Sequence, residues 1–460
     1  MGRPTRHHSE PPPPEDAPDK SYALYLIAAL LLFGFQVLFA TTGALETVFR
    51  DLRLPIPTNA GRSIHLNLSL YWPFLGIIGG IYFFVPLEMG VRLYSPKLAL
   101  VQFWLLLAVI LAILGSLALG LTEGREYLEA PRPLLGGLLL GFGLFIFNVV
   151  QTIRKARLPS WPSTMVAIVA GLLLSLLFFA PTIIPYPGIV ADELSKFWVV
   201  HVWVESTLEL IVAGLLAVML VPVTGMDRQT ATRLLYLEGF LIVISGLFGI
   251  GHHYFWIGVP KLWLYLGGIF GALQTVPVLF LASIAYKGAA ENQDLGTEAV
   301  GLKFLLSAAA WNFFGAGLIG FITTIPAVNA YTHGTLLTSG HAHMALFGTY
   351  GFLALGIAYL TLPEWRDGAL TAQKGLWSLR LLNVGLAVMG GALALAGVAE
   401  AYLLRVVGLD FPTVVKITRP YMAVRIAGAV IFATGALLPA FDVFFRGLLG
   451  KGRKPSTSVP

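Results

Sequence analysis

The histidines are the residues of this chain that are best suited to chemistry. Two of the nine, His7 and His8, lie in a polar N-terminal stretch, and the other seven lie in or beside long apolar segments. Those seven are His65, His201, His252, His253, His333, His341 and His343. Ionisable side chains are costly inside a bilayer and usually mark function there. The pattern therefore indicates a redox centre with more than one metal ion.

The composition explains why these histidines have apolar neighbours. Of the 460 residues, 57% are hydrophobic and 12% are charged, and the mean hydropathy is +0.78. A soluble protein of this length could not bury so much apolar surface, so we predict an all-α integral membrane protein. Apolar runs long enough to cross the hydrocarbon layer predict twelve spans. They cover 22–46, 64–87, 97–120, 134–153, 163–185, 196–222, 231–254, 262–287, 301–325, 336–362, 376–402 and 420–446.

The distribution of basic residues predicts the orientation of these spans. Basic side chains of the tail 447–460 and of the loop 154–157 fall on the same face, which the positive-inside rule makes cytoplasmic. An even number of spans then places both termini there. We expect 1–21, which contains four consecutive prolines, to be a disordered cytoplasmic tail and 22–446 to be one catalytic membrane domain.

The residues that are missing exclude several kinds of redox protein. The chain has no cysteine, so it holds no disulfide, iron–sulfur cluster, thiolate-bound copper or covalently attached heme. We find neither a phosphate-binding loop nor a dinucleotide-binding motif, and the net charge of +6 does not suggest a nucleic-acid partner. Electrons must therefore arrive from another polypeptide or from a membrane quinol.

Two histidines on one predicted span suggest two planar cofactors. His341 and His343 are two residues apart, so they lie roughly 200° apart around a helix axis and cannot share one small ion. Each can instead be an axial ligand of a different heme iron. His65 has a similar depth and could complete the coordination of one of these irons, leaving the other open for a substrate. A lone intramembrane histidine can also simply bond to a neighbouring carbonyl, but that alternative explains the set on four spans poorly.

A second group of residues suggests a non-heme metal. His201, which we expect in the second turn of its span, and Glu205 are spaced i, i+4 and therefore project from one helical face. Glu209 continues this face one turn deeper. The adjacent His252 and His253 stand at a helix end, where both side chains can point toward one centre. Three imidazoles and a carboxylate are a plausible ligand set for non-heme iron.

Five stretches of the sequence resemble a known family. They are 124–129 (GREYLE), 201–205 (HVWVE), 251–254 (GHHY), 331–335 (YTHGT) and 340–343 (GHAH). Together they resemble the heme–copper oxidase superfamily, and within it the large catalytic subunit of the cytochrome c-dependent nitric oxide reductases. The resemblance covers nearly the whole chain and implies the twelve-transmembrane-helix fold of that catalytic subunit.

The resemblance implies a role for each histidine of the outer cluster. His65 and His343 would ligate a low-spin heme b, and His341 would be the proximal ligand of a high-spin heme b. The family's non-heme iron would be held by His201, His252, His253 and Glu205. A carboxylate is a hard ligand suited to iron, whereas the oxygen-reducing branch places a tyrosine where Glu205 stands.

Other positions carry implied roles that depend on single residues. Glu126 resembles a calcium ligand, Glu129 resembles an acid on a proton path from the outer side, and Glu209 would lie beside the metal. Arg62 could pair with a heme propionate or serve as an interfacial anchor. Gln274 departs from the family, which has an acid at the aligned position, so copper in place of iron remains an alternative there.

The implied activity is the respiratory reduction of two nitric oxide molecules to nitrous oxide, a step of denitrification, in the inner membrane of a bacterium. Electrons would come from a membrane-anchored c-type cytochrome subunit, and protons from the periplasm without pumping. One alternative is an atypical terminal oxygen reductase with a heme–copper centre. Another is a proton-coupled secondary transporter, although we find no inverted repeat that would favour it.

Overall fold

We describe residues 19–49, 58–224, 228–273 and 297–450 of a computed structural model, and every regular element among them is helical. These elements are α1 Ser21–Glu46, α2 Ala60–Met89, α3 Pro96–Ala118, α4 Arg132–Lys155, α5 Ser163–Ile183, α6 Ile189–Val221, α7 Arg228–His253, α8 Lys261–Leu273, α9 Thr297–Thr324, α10 Pro326–Thr332, α11 Leu336–Trp365, α12 Ala372–Val407 and α13 Phe411–Leu448.

The all-helical membrane architecture is confirmed, and the predicted count of twelve spans is consistent with it. Eleven helices of the described residues are long and apolar enough to cross a membrane. The predicted span 262–287 begins as the shorter apolar helix α8, and its continuation lies outside the described residues. The short helix α10 was not predicted, because its seven residues are too few to produce a clear periodicity.

The start of α6 was predicted wrongly. We expected this span to begin at residue 196, but the helix begins at Ile189, so His201 lies in the fourth turn rather than the second. The charged residues near the start resemble a loop in the sequence. In the structure Lys196 Nζ pairs with Glu193 Oε2 at 2.6 Å, one turn earlier on the same helix. This pairing accommodates both charges within helical backbone.

The start of α13 was also predicted too late, at residue 420 instead of Phe411. The additional turns are capped in a recognisable way. The Asp410 side chain accepts a hydrogen bond from the backbone N–H of Thr413 at 2.9 Å, which satisfies one of the free donors of the first turn. Apolar residues mark only the part of a helix that lies in lipid. The first turns of α13 extend beyond that part, so hydropathy did not predict them.

Close backbone approaches hold the helices together. A Cβ atom at Gly428 of α13 would lie 2.6 Å from the backbone nitrogen of Met389 on α12, and one at Gly385 would meet Phe432 in the same way. Small residues are the usual means by which membrane helices approach each other, since lipid provides no hydrophobic force between them. These two helices therefore form a tight pair along much of their length.

Both ends of the helical domain lie on one face. The helix α1 contacts the last turns of α13, Val443–Leu448. We call this face inner, following the orientation predicted from charge, and the opposite face outer. The histidines of α2, α6, α7 and α11 all lie in the outer half of the bundle.

Candidate functional site

Four side chains from α6 and α7 meet in one cluster, which we call the metal cluster: His201, Glu205, His252 and His253. Glu205 Oε2 is 3.3 Å from His201 Nδ1 and 4.0 Å from His252 Nε2, and Glu205 Oε1 is 3.4 Å from His253 Nε2. Each residue offers a ligand atom, and the four atoms lie within 4.8 Å of one another. The structure thus brings together the four residues that the sequence proposed as metal ligands.

Three buried ring nitrogens of this cluster lack hydrogen-bond partners among the described residues, as expected for ligands of a metal ion. Neither ring nitrogen of His201 makes a well-formed hydrogen bond, and Nδ1 of His252 also has none, although all three atoms are buried. Buried polar atoms are rarely left in this condition without a partner. Ligand atoms held about 2 Å from one ion lie at most about 4 Å apart, so the cluster needs little contraction to bind one.

The histidine pair of α7 is positioned by the packing of α8. A 3-10 turn, Ile250–His253, ends α7 and directs both rings toward α6. A Cβ atom at Gly251 would collide with the carbonyl oxygen of Trp263, and one at Gly267 would collide with the backbone nitrogen of His252. The two helices can approach this closely only because both positions are glycine. The position of the His252 backbone therefore depends on α8.

Sequence reasoning missed two residues that support the cluster. The Tyr350 hydroxyl of α11 donates a hydrogen bond to the carbonyl oxygen of Val204 at 2.7 Å. Val204 lies in the π-helical turn Trp203–Leu208, and such turns leave backbone groups without regular partners. Asn329 of α10 donates to the carbonyl oxygen of His252 at 3.0 Å. A buried polar residue in an apolar run was the only available signal for either residue.

His65 of α2 and His343 of α11 form a second site. Their ring centroids are 5.9 Å apart, and both side chains line an apolar cavity bordered by Phe33, Phe347 and Phe432. The Nδ1 atom of His343 is 2.7 Å from the carbonyl oxygen of Ser339, which leaves Nε2 available as a ligand atom. Two imidazoles facing each other across an aromatic cavity fit the axial ligands of a heme.

His341 points to the other side of α11. Its Nδ1 atom is 2.8 Å from the carbonyl oxygen of Gly315 on α9, and this contact fixes the ring orientation. The ring also lies within electrostatic range of His252 and His253. The two histidines of α11 therefore belong to different sites. His343 faces His65, and His341 lies on the side of the metal cluster.

A buried arginine adds a further reason to place a heme beside His65 and His343. The Nε atom of Arg425 on α13 is buried without a hydrogen-bond partner, and its charge acts on both imidazoles. Ala429 and Phe432 line the cavity one and two turns further along the same helix. Because a buried cation requires an anion, a heme propionate beside Arg425 would compensate it. This residue was not identified from the sequence.

The acidic loop before α4 contains two residues in different settings. Glu126, the predicted calcium ligand, pairs with Arg62 in an exposed ion pair. Glu129 is only 3% exposed, so it is not a solvated loop charge. Its Oε2 atom accepts a hydrogen bond from Asn67 Nδ2 at 2.8 Å, while Oε1 is buried without a partner. Burial raises the pKa of Glu129, and the Asn67 hydrogen bond offsets part of that effect.

Replacing Glu129 by glutamine is expected to remove a pH dependence from the stability of the protein. Because the folded-state pKa lies above the ordinary value of 4.5, the folded protein holds more protons than the unfolded chain between those two values. The free energy of unfolding of the wild type therefore falls as pH rises through that window. Glu129→Gln keeps the acceptor oxygen for Asn67 but does not titrate. The melting temperatures of the two proteins, plotted against pH, should diverge between these two pKa values. Parallel plots would contradict the raised pKa of Glu129.

Two predicted positions remain to be placed. Glu209 lies one turn inward of Glu205 on α6 and within electrostatic range of it. Gln274 lies outside the described residues, so its relation to the metal cluster stays a prediction from the sequence.

Known proteins resemble this chain along most of its length. Residues 20–431 match the family described as cytochrome c and quinol oxidase polypeptide I. The chain is 31% identical to a nitric oxide reductase subunit of Stutzerimonas stutzeri, over 92% of this chain and 94% of that protein. It is 26% identical to a cytochrome c oxidase subunit 1 homolog of Agrobacterium tumefaciens (strain T37), over 94% and 84% of the two chains.

The fold agrees with these relationships. A heme-copper terminal oxidase dimer, solved by cryo-electron microscopy, matches with a TM-score of 0.70 at 15% identity, over 96% of this chain and 86% of that one. The fold and the two histidine sites define a multi-pass membrane oxidoreductase of the heme–copper class. The chain belongs to the cytochrome c and quinol oxidase polypeptide I family. This membership implies hemes and a metal centre.

Proposed function

We propose that this protein is the catalytic subunit of a nitric oxide reductase, which converts two nitric oxide molecules, two electrons and two protons into nitrous oxide and water. The observation that carries the proposal is Glu205, a carboxylate within 4.0 Å of three imidazoles. Three imidazoles alone would suit copper, whereas an added carboxylate oxygen favours iron. The 31% identity to a nitric oxide reductase subunit supports the same activity.

The chain would hold three redox cofactors. We assign His65 and His343 to a low-spin heme b, His341 to a high-spin heme b, and the metal cluster to a non-heme iron. When bound, these groups supply electron transfer and two adjacent metal sites for the substrate molecules. The contact between His341 Nδ1 and the Gly315 carbonyl fixes the ring so that Nε2 can serve as the ligand atom.

The carboxyl groups of α6 would have separate roles. Glu205 would compensate the charge of a bound metal ion, and its two oxygens, which contact His201 and His253, orient those rings. Glu209, one turn inward, lies close enough to interact with Glu205 electrostatically and would hold a proton for the reaction. Catalysis then depends on one carboxyl group that binds the metal and another that carries protons.

Substrate access is consistent with a small uncharged molecule. An apolar cavity of about 60 Å³ lies beside the π-helical turn of α6 and is lined by Phe74, Phe142, Trp203 and Val204, among other residues. Nitric oxide is nearly apolar, so it can partition into the membrane and enter such a space. A charged substrate would lose its hydration there without compensation.

The partner and the location complete the proposal. We assign electron delivery to a membrane-anchored c-type cytochrome subunit on the outer, periplasmic face of a bacterial inner membrane. Glu126 on that face would contribute to a calcium site at the contact between the two polypeptides. In the described residues its carboxylate is paired with Arg62, so calcium would have to compete with, or rearrange, this exposed ion pair.

One experiment separates nitric oxide reduction from the second candidate, oxygen reduction. The second candidate is favoured by relatives such as cytochrome c oxidase subunit 1 of Rhodobacter capsulatus, 24% identical over 90% of this chain. Metal analysis of the purified complex, with parallel electrode assays on nitric oxide and on oxygen, tests both. We expect iron beyond that of the two hemes, and faster nitric oxide turnover. Copper with dominant oxygen turnover would overturn the proposal.

Replacing Arg425 by glutamine is expected to lower the midpoint potential of the low-spin heme. A nearby cation stabilises the reduced form, and a unit charge roughly 10 Å away contributes about 1–2 kcal/mol at an effective dielectric constant of about 20, which corresponds to tens of millivolts. Redox titration of the optical band measures the shift. Lys416→Gln removes an equal charge from an exposed position of α13 and serves as the control. Equal shifts in the two variants would contradict a specific role for Arg425.

A further inference from the structure

The π-helical turn of α6, Trp203–Leu208, carries the carboxylate of the metal cluster. In an α-helix four residues cover about 400°, so residue i+4 is rotated about 40° past residue i. A π turn contains more residues than an α turn, so the rotation per residue is smaller. Glu205 therefore lies more nearly in line with His201 than regular α-helical geometry would place it. Its contacts with three imidazoles depend on this turn.

Side-chain hydroxyl groups bind two carbonyl oxygens of this turn. A π turn interrupts the regular ladder of backbone hydrogen bonds, so its carbonyl groups need other donors. The Trp203 carbonyl accepts a hydrogen bond from Thr207 Oγ1 at 2.8 Å, and Thr207 Oγ1 accepts one from Ser175 Oγ of α5 at 2.6 Å. The Val204 carbonyl accepts from the Tyr350 hydroxyl of α11 at 2.7 Å. Donors from two other helices therefore converge on the turn.

Two glycines bring neighbouring helices against the backbone of the turn. A Cβ atom at Gly171 of α5 would lie 2.9 Å from the Thr207 carbonyl oxygen. A Cβ atom at Gly246 of α7 would lie 3.2 Å from the Glu205 carbonyl oxygen. Only glycine permits such close approaches of one backbone to another. The turn is thus enclosed by α5 and α7, and it receives a hydrogen bond from α11.

Tyr350 connects this turn with the helix of the proposed heme ligands. Its side chain is buried, and it lies within electrostatic range of Glu205 and Glu209. It belongs to a π-helical segment of α11, His343–Gly351, so both helices are π-helical where the hydrogen bond joins them. Removing the hydroxyl would leave the Val204 carbonyl without this donor inside the bilayer, where water is scarce. The carbonyl would then need another partner.

We propose that Tyr350 is a positioning residue, which keeps this turn of α6 in its π-helical form and so directs the Glu205 carboxylate toward the metal ion. Without the hydroxyl, the Val204 carbonyl would bond within α6 as in a regular α-helix. Glu205 would then turn about the helix axis, out of its place among the imidazoles. The inference rests on the proposed function only in requiring that the metal cluster binds an ion, whichever substrate the enzyme reduces.

The test compares Tyr350→Phe with Tyr359→Phe in the purified, complete complex. Tyr359 is a matched control on α11, because its buried hydroxyl has no hydrogen-bond partner among the described residues. After removal of the non-heme metal, titration with Fe²⁺ against a competing chelator measures the dissociation constant. Tyr350→Phe should raise this constant about 10-fold, the lower end of the effect of removing a residue that supports a metal ligand, while both hemes stay unchanged. Tyr359→Phe should match the wild type, and a wild-type constant in Tyr350→Phe would overturn the proposal.

A spectroscopic measurement separates the positioning of Glu205 from other roles of the hydroxyl. The Mössbauer quadrupole splitting of the non-heme iron should change in Tyr350→Phe, because the carboxylate coordination changes, whereas a loss of stability alone would not alter it. Thr207→Val removes the other hydroxyl bonded to the turn and should change the same signal. Slower turnover of Tyr350→Phe with normal Fe²⁺ affinity and an unchanged spectrum would indicate a proton carrier and overturn the proposal. If the wild type instead holds copper and reduces oxygen, the same titration with Cu²⁺ tests Tyr350, so failure of the proposed function remains distinguishable.

Discussion

His343→Ala is expected to abolish the low-spin heme signal, whereas His341→Ala should disturb the high-spin heme and leave the low-spin signal in place. The reason is that the two rings leave α11 in different directions. His343 faces His65, with ring centroids 5.9 Å apart, while His341 is held to the Gly315 carbonyl at 2.8 Å. Loss of an axial imidazole removes the coordination on which a six-coordinate iron depends. Optical and electron paramagnetic resonance spectra of the two variants measure the difference.

The control for this pair is His333→Ala, which removes an imidazole from the loop between α10 and α11. The His333 ring lies beside Phe255, with ring centroids 6.5 Å apart, and we assign it to neither heme, so both heme signals should persist in that variant. His65→Ala should reproduce the spectrum of His343→Ala, because both residues would ligate the same iron. If His341→Ala and His343→Ala removed the same heme and spared the other, the assignment of two hemes to opposite sides of α11 would be wrong.

Glu205→Ala should retain both hemes but lose non-heme metal and turnover by about 10–100-fold, the usual effect of removing a supporting ligand or carboxylate. The carboxylate lies within 3.4 Å of His201 and His253, so its removal also frees those rings to rotate. Elemental analysis per heme and steady-state rates provide the two measurements.

Glu209→Ala is the matched control, since it removes a carboxylate from the same helix one turn further inward. It should lower turnover while metal content stays near one ion per protein, because Glu209 lies outside the metal cluster. Full metal content and normal activity in Glu205→Ala would instead exclude Glu205 from the site. Equal metal loss in both variants would mean that the effect arises from general damage to α6.

The sequence predicted the fold well because a bilayer imposes strong constraints. Each span must be long and apolar, so the spans can be counted without knowledge of their packing. The i, i+4 spacing of His201 and Glu205 likewise fixes a shared face locally. Helix ends were less predictable, since hydropathy does not register the ion pair at Lys196 or the cap at Asp410. Those features lie outside the apolar part of each helix.

Tertiary contacts account for what the sequence could not predict. Nothing local indicates that the Tyr350 hydroxyl reaches the Val204 carbonyl 146 residues away. Arg425 and Glu238 are single charged residues within apolar segments. One charged residue does not prevent such a segment from being predicted as a span, so neither residue was noticed. Only the packed structure brings Arg425 within electrostatic range of two imidazoles, and Glu238 within electrostatic range of Glu209. Their importance depends on their neighbours.

The glycine contacts between α7 and α8 have a consequence for biogenesis. Because the His252 backbone is fixed by contact with Gly267, a nascent chain that has integrated only seven spans does not yet have the complete geometry for binding the non-heme metal. Metallation must therefore follow membrane insertion of the eighth span. A chain truncated after α7 should accumulate without this metal, whatever the supply of iron in the cell.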